Sequence, residues 1–294
     1  MTPIVILHHN EYKYLVNCIE SIEKTLKPKD YKLYIVDNKS DEDIKKKIKE
    51  RYKKKYNIFF NNKDNWLKGF NLAIDHIKFK WNYIILSDAD ISFKNSKKKN
   101  WLKYLIDEMN EFPIIGKLGI SLNTNFIKDK KVFRYIYKRE KSYQVGINIG
   151  KNVIAPVDTT AAIYRQDLFI TNKFKLEVGH TSLMKPNYYS CRTSIKELNC
   201  FHLGWYKYYA HFFNQKKTSI EILRKKAWFF CKWNRPIEKS ISKQLPTYER
   251  IALFISAKFI YRTLYSIKFL SLWSWYIIKN FPFNYNSLQN KANK

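Results

Sequence analysis

Only 7 of the 294 residues are glycine, and this scarcity disfavours one large class of sites, because phosphate cradles built from backbone amides need glycine-rich loops. Where such a loop would follow the first apolar run, the chain reads His8-His9-Asn10-Glu11-Tyr12. The 4 cysteines, Cys18, Cys191, Cys200 and Cys231, include no C-x-x-C pair, which argues against a zinc site or disulfide framework and fits a reducing compartment. No run reaches the ~18 uncharged apolar residues of a spanning helix. The amino-terminal T-P-I-V-I-L has no basic leader and reads as the first strand of a domain, not as a signal peptide. Acid is scarce too. Asp and Glu number 25 against 55 Lys and Arg, a formal charge of +30, which implies acidic partners: nucleic acid, anionic lipid or a phosphorylated substrate. Part of that excess is compositional, since Lys, Asn and Ile are abundant throughout, so placement counts for more than the total.

What is present begins with a 45% hydrophobic content, enough to fill the core of one large α/β domain with an appendage, or of two small domains. Short apolar runs at 3–8, 31–36, 57–60 and 83–86 read as strands. Between them, helical spacing brings together Leu15, Ile19, Ile22 and Leu26, then Ile44, Ile48 and Tyr52, then Trp66, Phe70, Ile74 and Ile77. Asn10 and Ser40 are the expected caps of the first two helices. Strand and helix alternating four times predict a mostly parallel, nucleotide-binding α/β sheet flanked by helices. Ligands bind such sheets at the carboxyl ends of the strands. There the sequence delivers His8, His9 and Asn10, then Asp37 and Asn38, then Asp88 and Asp90 in Y-I-I-L-S-D-A-D-I-S-F. Paired carboxylates are hard oxygen ligands for Mg²⁺ or Mn²⁺ carrying a diphosphate, and Asp37 is placed to accept hydrogen bonds from a ribose or base. The alternative for each is an ordinary capped turn.

The ordered set P-I-V-I-L-H-H-N-E-Y, Y-I-V-D-N-K-S-D, L-K-G-F-N-L-A-I and I-I-L-S-D-A-D resembles the amino-terminal half of family 2 glycosyltransferases of the GT-A fold. V-D-T-T-A-A-I-Y-R at 157–165 and H-L-G-W-Y at 202–206 resemble a bacterial surface-glycan branch of it. The resemblance implies that Asp37 contacts the uracil or ribose of a nucleotide-diphosphate sugar, UDP-sugar favoured; His8, Asn10 and Asn38 are further nucleotide-side candidates by their places at the strand ends. It places Lys68, Gly69 and Asn71 near the nucleotide, and makes Asp88, Asp90 and His202 ligands of a divalent metal, with Asp88 closer to the ribose. It further implies an inverting transfer to a glycan or lipid-linked acceptor. One departure is that the early glycine many relatives carry in the segment here reading N-K-D-N-W-L-K-G-F-N is absent.

An inverting displacement also needs a base for the acceptor hydroxyl. Asp158, at a Pro-marked strand entry beside Thr159 and Thr160, is the first candidate, and Glu177 in K-L-E-V-G-H is the second. Arg192 and Lys196 could meet phosphate oxygens. Segments 114–122 and 160–164 read as further strands. The expected organisation is a GT-A catalytic domain over 1–215, with a nucleotide-binding half at 1–93 and an acceptor half at 94–215, and a helical, aromatic-basic extension over 216–294. In that extension a helix begins near the capping box at Thr218–Glu221, and a long one spans 251–281, broken near Ser271 or Ser274. Arg250, Lys258, Arg262, Lys268 and Lys279 share an arc of roughly 120° on it. It either packs on the catalytic domain with a basic outer face or lies in the plane of an anionic membrane, which would hold the enzyme peripherally on the inner face of the cytoplasmic membrane. Two other functions remain: a nucleic-acid-binding protein, for which no helix-turn-helix or zinc-finger spacing is found, and a sugar-phosphate nucleotidyltransferase, which should carry the missing glycine-rich loop.

Overall fold

A computed structural model describes residues 1–94, 100–125, 127, 134–157, 159–171, 173–177, 183–205, 220, 223–224, 227–228, 231 and 243–280. The chain forms two compact units, Met1–Val178 with Met184–Lys216, and Gly179–Leu183 with Lys217–Lys294.

The first unit is built on a nine-stranded sheet. Its amino-terminal strands are β1 (Thr2–His8), β2 (Tyr31–Asp37), β3 (Asn57–Phe60) and β4 (Tyr83–Asp88), all mutually parallel in the order β3-β2-β1-β4. Between them run α1 (Tyr12–Thr25) and α2 (Glu42–Tyr52). Both faces of the central strands are covered, so Ile4, Val5 and Ile6 in succession are buried, as are Ile84, Ile85 and Leu86, the unbroken apolar run expected of a parallel strand between layers. The helix expected over 65–77 is shorter: a 3-10 turn, Trp66–Phe70, leads into the single turn α3 (Asn71–Ile74). Trp66, expected on its inward stripe, is exposed and has a φ of +49°.

Beyond β4 the chain makes β5 (Ile91–Ser92), α4 (Trp101–Glu111), β6 (Ile115–Gly119), β7 (Ser121–Leu122), α5 (Arg134–Ser142), β8 (Asn148–Ile149), β9 (Asn152–Ile154), β10 (Ala162–Arg165), β11 (Tyr189–Thr193) and β12 (Asn199–His202). The single strand expected over 114–122 is thus divided between two sheets. Strand β10 inserts antiparallel between β4 and β6, and β11, β9 and β8 complete the large sheet beyond them. A second, three-stranded sheet has the order β5-β12-β7. Helix α1 fastens β5 to the rest: the Phe93 amide donates to Ser21 Oγ at 3.0 Å, Phe93 stacks on Trp101 at 4.4 Å, and Trp101 Nε1 donates to Thr25 Oγ1 at 2.9 Å.

Neither expected cap forms. Asn10 takes a left-handed φ of +56°, which asparagine tolerates better than most residues. Instead of capping α1, its amide donates to Ser40 Oγ at 2.7 Å and its Oδ1 accepts from the Asp41 amide at 2.8 Å. Two loops are locked together by side chains that would otherwise have closed helix ends.

In the second unit, α6 (Thr247–Ile255) passes through a π-helical turn, Ser256–Tyr261, into α7 (Arg262–Asn280). The irregularity lies at 256–261 and not at the serines, where the helix is continuous. Ser271 Oγ donates to the Ile267 carbonyl at 2.9 Å, so its hydroxyl is satisfied within the helix. Most of the expected helix near residue 218 lies outside the described residues, as does Phe281.

Candidate active site

Register brings the strand ends together. His8 is paired with Asp37 across β1 and β2, and Leu7 with Asp88 across β1 and β4. Asp88 closes β4 and a turn follows: Ala89 is buried, while Asp88 and Asp90 on either side of it are half-buried. The small sheet supplies the third group: β12 runs antiparallel to β5 with His202 opposite Ile91, and the Leu203 amide donates to the Asp90 carbonyl at 2.8 Å. Ligand atoms of Asp88, Asp90 and His202 consequently lie within 4.8 Å of one another. Two carboxylates and an imidazole are a donor set suited to Mn²⁺ or Mg²⁺.

The group is held from several sides. Thr160 Oγ1, just before β10, donates to Asp88 Oδ2 at 2.8 Å. His202 Nδ1 stands 3.4 Å from Asp90 Oδ2, and its ring stacks on the buried Trp205 at 5.1 Å and 10°. Gly204 leaves the space that Asp90 fills, since a Cβ there would fall 1.9 Å from Asp90 Oδ2. Tyr14 of α1 reaches the same place: burial first, and then the charge of Asp90, raise its phenol above the ordinary value. Thr160 was legible as a short polar group at a strand entry. Gly204 stood in the H-L-G-W-Y segment without a role of its own, and Tyr14 was not singled out.

The nucleotide-side candidates are tightly engaged. Asp37 is fully buried; its Oδ1 accepts from the Ser40 amide at 2.8 Å, and its Oδ2 accepts from Ser40 Oγ at 2.5 Å and from His8 Nδ1 at 2.9 Å. Burial alone would raise its pKa, but these bonds outweigh it and hold the carboxyl below the usual range. These bonds tie the end of β1 to the end of β2. Asn38 is buried likewise, accepting from the Asn61 side chain and the Asn65 amide and donating to Asp64. Gly69 packs against it, with a virtual Cβ 2.7 Å from Asn38 Oδ1. Lys68 is exposed on the 3-10 turn. Asn71 grips another loop with both ends of its amide, donating to the Leu176 carbonyl at 2.8 Å and accepting from the Leu176 amide at 2.8 Å. That clamp fixes the backbone next to Glu177, which is half-buried. Asp158, His180 and Tyr206 lie outside the described residues.

Arg192 is not turned toward a phosphate. Its Nε donates to the Pro156 carbonyl at 2.7 Å, its Nη1 is 3.5 Å from Glu140 Oε2, and its guanidinium lies 4.5 Å from the Tyr143 ring. Both members of the Glu140–Arg192 pair are buried, so truncating one strands the other. Arg192→Met is expected to cost about 3 kcal/mol of stability in a denaturant melt while leaving nucleotide affinity unchanged.

Paired acids and a histidine at the carboxyl end of a largely parallel sheet are the mark of an α/β enzyme that handles a nucleotide. The profile named glycosyl transferase family 2 matches residues 4–171, more than half of the chain, and the chain belongs to that family. It is a glycosyltransferase. Among solved structures, S. aureus TarS 1–349 in complex with UDP-GlcNAc is similar with a TM-score of 0.50 at 17% identity, over 87% of this chain and 81% of that one, which shows the shared fold. The mannosyltransferase PcManGT from Pyrobaculum calidifontis, in complex with GDP-Man and Mn²⁺, gives a TM-score of 0.49 at 12% identity, over 99% of this chain and 79% of that one. No curated protein sequence matches.

Proposed function

We propose that the protein is a metal-dependent, inverting glycosyltransferase that moves a sugar from a nucleotide-diphosphate donor, UDP-sugar favoured, to a glycan or lipid-linked acceptor in bacterial surface polysaccharide or lipooligosaccharide synthesis. It works as a peripheral protein at the inner face of the cytoplasmic membrane. The observation that carries this reading is the convergence of Asp88, Asp90 and His202 at the strand ends. Residues 1–215 are read as the catalytic domain and 216–294 as a helical extension. The TarS complex, of the same fold, holds a UDP-sugar, which supports the choice of donor.

Asp88, Asp90 and His202 would hold a divalent cation, which when bound offsets the charge that develops on the departing diphosphate. Thr160 fixes the carboxylate of Asp88 through its hydrogen bond. Asp37, held in place by Ser40 and His8, accepts from the base or ribose of the donor, with Asn38, His8 and Asn10 beside it. Glu177, on the loop that Asn71 clamps, or Asp158 takes the proton from the acceptor hydroxyl. The acceptor oxygen then bonds the anomeric carbon as the bond to the diphosphate oxygen breaks, which inverts the centre.

The test is thermal stability of the purified protein against UDP, GDP, CMP, dTDP and ADP, each with and without Mn²⁺. A ligand that binds only the native state stabilises it by mass action, about 2.7 kcal/mol at 100 times Kd. One diphosphate should raise Tm, and only when Mn²⁺ is present. No shift with any of them would overturn the donor site.

A further inference from the structure

We propose that α7 docks in the plane of an anionic lipid bilayer through an exposed apolar face. The inference deepens the peripheral-membrane part of the reading above and rests on it for where the acceptor is met; the docking surface itself stands on the helix.

The nineteen residues of α7 include none that is buried. At about 100° per residue its side chains separate into two opposed arcs. Tyr265, Phe269, Trp273 and Tyr276 form the half-covered one. Opposite them, Leu264, Ile267, Leu270 and Ile278 are 58%, 58%, 68% and 75% exposed, over an arc of roughly 120°. Aliphatic side chains so exposed along one helix face are a docking surface and not the scattered apolar residues of an ordinary exterior.

Charge decides the occupant. After Glu249 the sequence has no acid, and it carries Arg250, Lys258, Arg262, Lys268, Lys279, Lys291 and Lys294. A second copy of the chain would bring two such segments, on molecules of formal charge +30, into contact; an anionic surface complements them. Lys268 and Lys279 project between the two arcs, where a long aliphatic stem lies along apolar surface while its ammonium reaches the headgroups. Lys279 Nζ stands 4.9 Å from the Trp275 ring, pairing a cation with an amphipathic aromatic at that edge. No helix among the described residues is long and apolar enough to cross a membrane, so the apolar face is used lengthwise. Ser271, on the same arc, bonds within the helix and enters without an unmet hydroxyl.

The full-length protein is sedimented with phosphatidylcholine vesicles with and without phosphatidylglycerol, at low and high salt. Binding should require the anionic lipid and weaken with salt. Ile267→Glu with Ile278→Glu, both at exposed positions, should lower partitioning by at least about tenfold, and Lys268→Ala with Lys279→Ala by roughly tenfold or more, with circular dichroism melts unchanged. Binding that ignores phosphatidylglycerol, or that the glutamate variant retains, overturns the proposal. So does a lipid-free dimer that the glutamate variant dissociates, since a second copy would then cover the face. Mn²⁺-dependent nucleotide stabilisation, read on the same samples, reports on the transferase site alone: its absence would remove the proposed function, while sedimentation still decides the docking.

Discussion

Asp90→Ala is expected to lower kcat on the order of 10³-fold, the loss seen when a group that stabilises charge in a transition state is removed. The same substitution should abolish the Mn²⁺-dependent rise in Tm with nucleotide while leaving the ligand-free Tm unchanged or higher, because it relieves one of two carboxylates held side by side at Asp88 and Asp90. Asp107→Ala is the control. That residue is exposed on α4 and pairs with Lys103 at 2.8 Å, so its loss should change neither quantity. An Asp90→Ala enzyme with full activity and full Mn²⁺ response would remove the site from contention.

The second large effect is expected from a single methyl group. In Gly204→Ala the added Cβ would sit 1.9 Å from Asp90 Oδ2 and 2.9 Å from its Cγ. Contacts that short cannot persist, and the carboxylate is the softer partner, so it rotates away from His202. The predicted result is a folded protein, weakened by about 1–3 kcal/mol from overpacking, whose nucleotide response to Mn²⁺ is lost. Calorimetric titration with Mn²⁺ alongside a denaturant melt separates the two quantities. If metal affinity survives unchanged, Gly204 is only a packing position.

The amino-terminal half of the fold was legible because each of β1, β2 and β4 announces itself as an apolar run ending in polar residues, and helical spacing separates them. Beyond it β6 and β10 fell where strands were expected, but much of the rest was not legible, for reasons that differ by residue. Strands β5, β7 and β12 are two to four residues long, too short for any period to show, although their pairing brings His202 to Asp90. Arg192 reads as a phosphate ligand because sequence displays charge and hides burial; only the packing of α5 reveals Glu140 beside it. Asp37 stands at the expected strand end, and Ser40, three residues on, folds back and donates to both of its oxygens. The basic arc of the long helix was visible as a pattern, whereas the exposure of the apolar residues of α7 was not, because a helical wheel gives direction without telling what lies outside.

The antiparallel ladder between β5 and β12 also sets a clock. Residues Ile91 and His202 are register partners, so the ladder closes only after the intervening chain has been made and threaded through β6, β10 and β11. Contacts between such distant positions form late, because the entropy of closing the loop must be met before they return any energy. A ribosome that has released only the first five strands has delivered both aspartates without their histidine. The nascent chain thus carries an unfinished cation trap, and its completion coincides with the closing of the first compact unit.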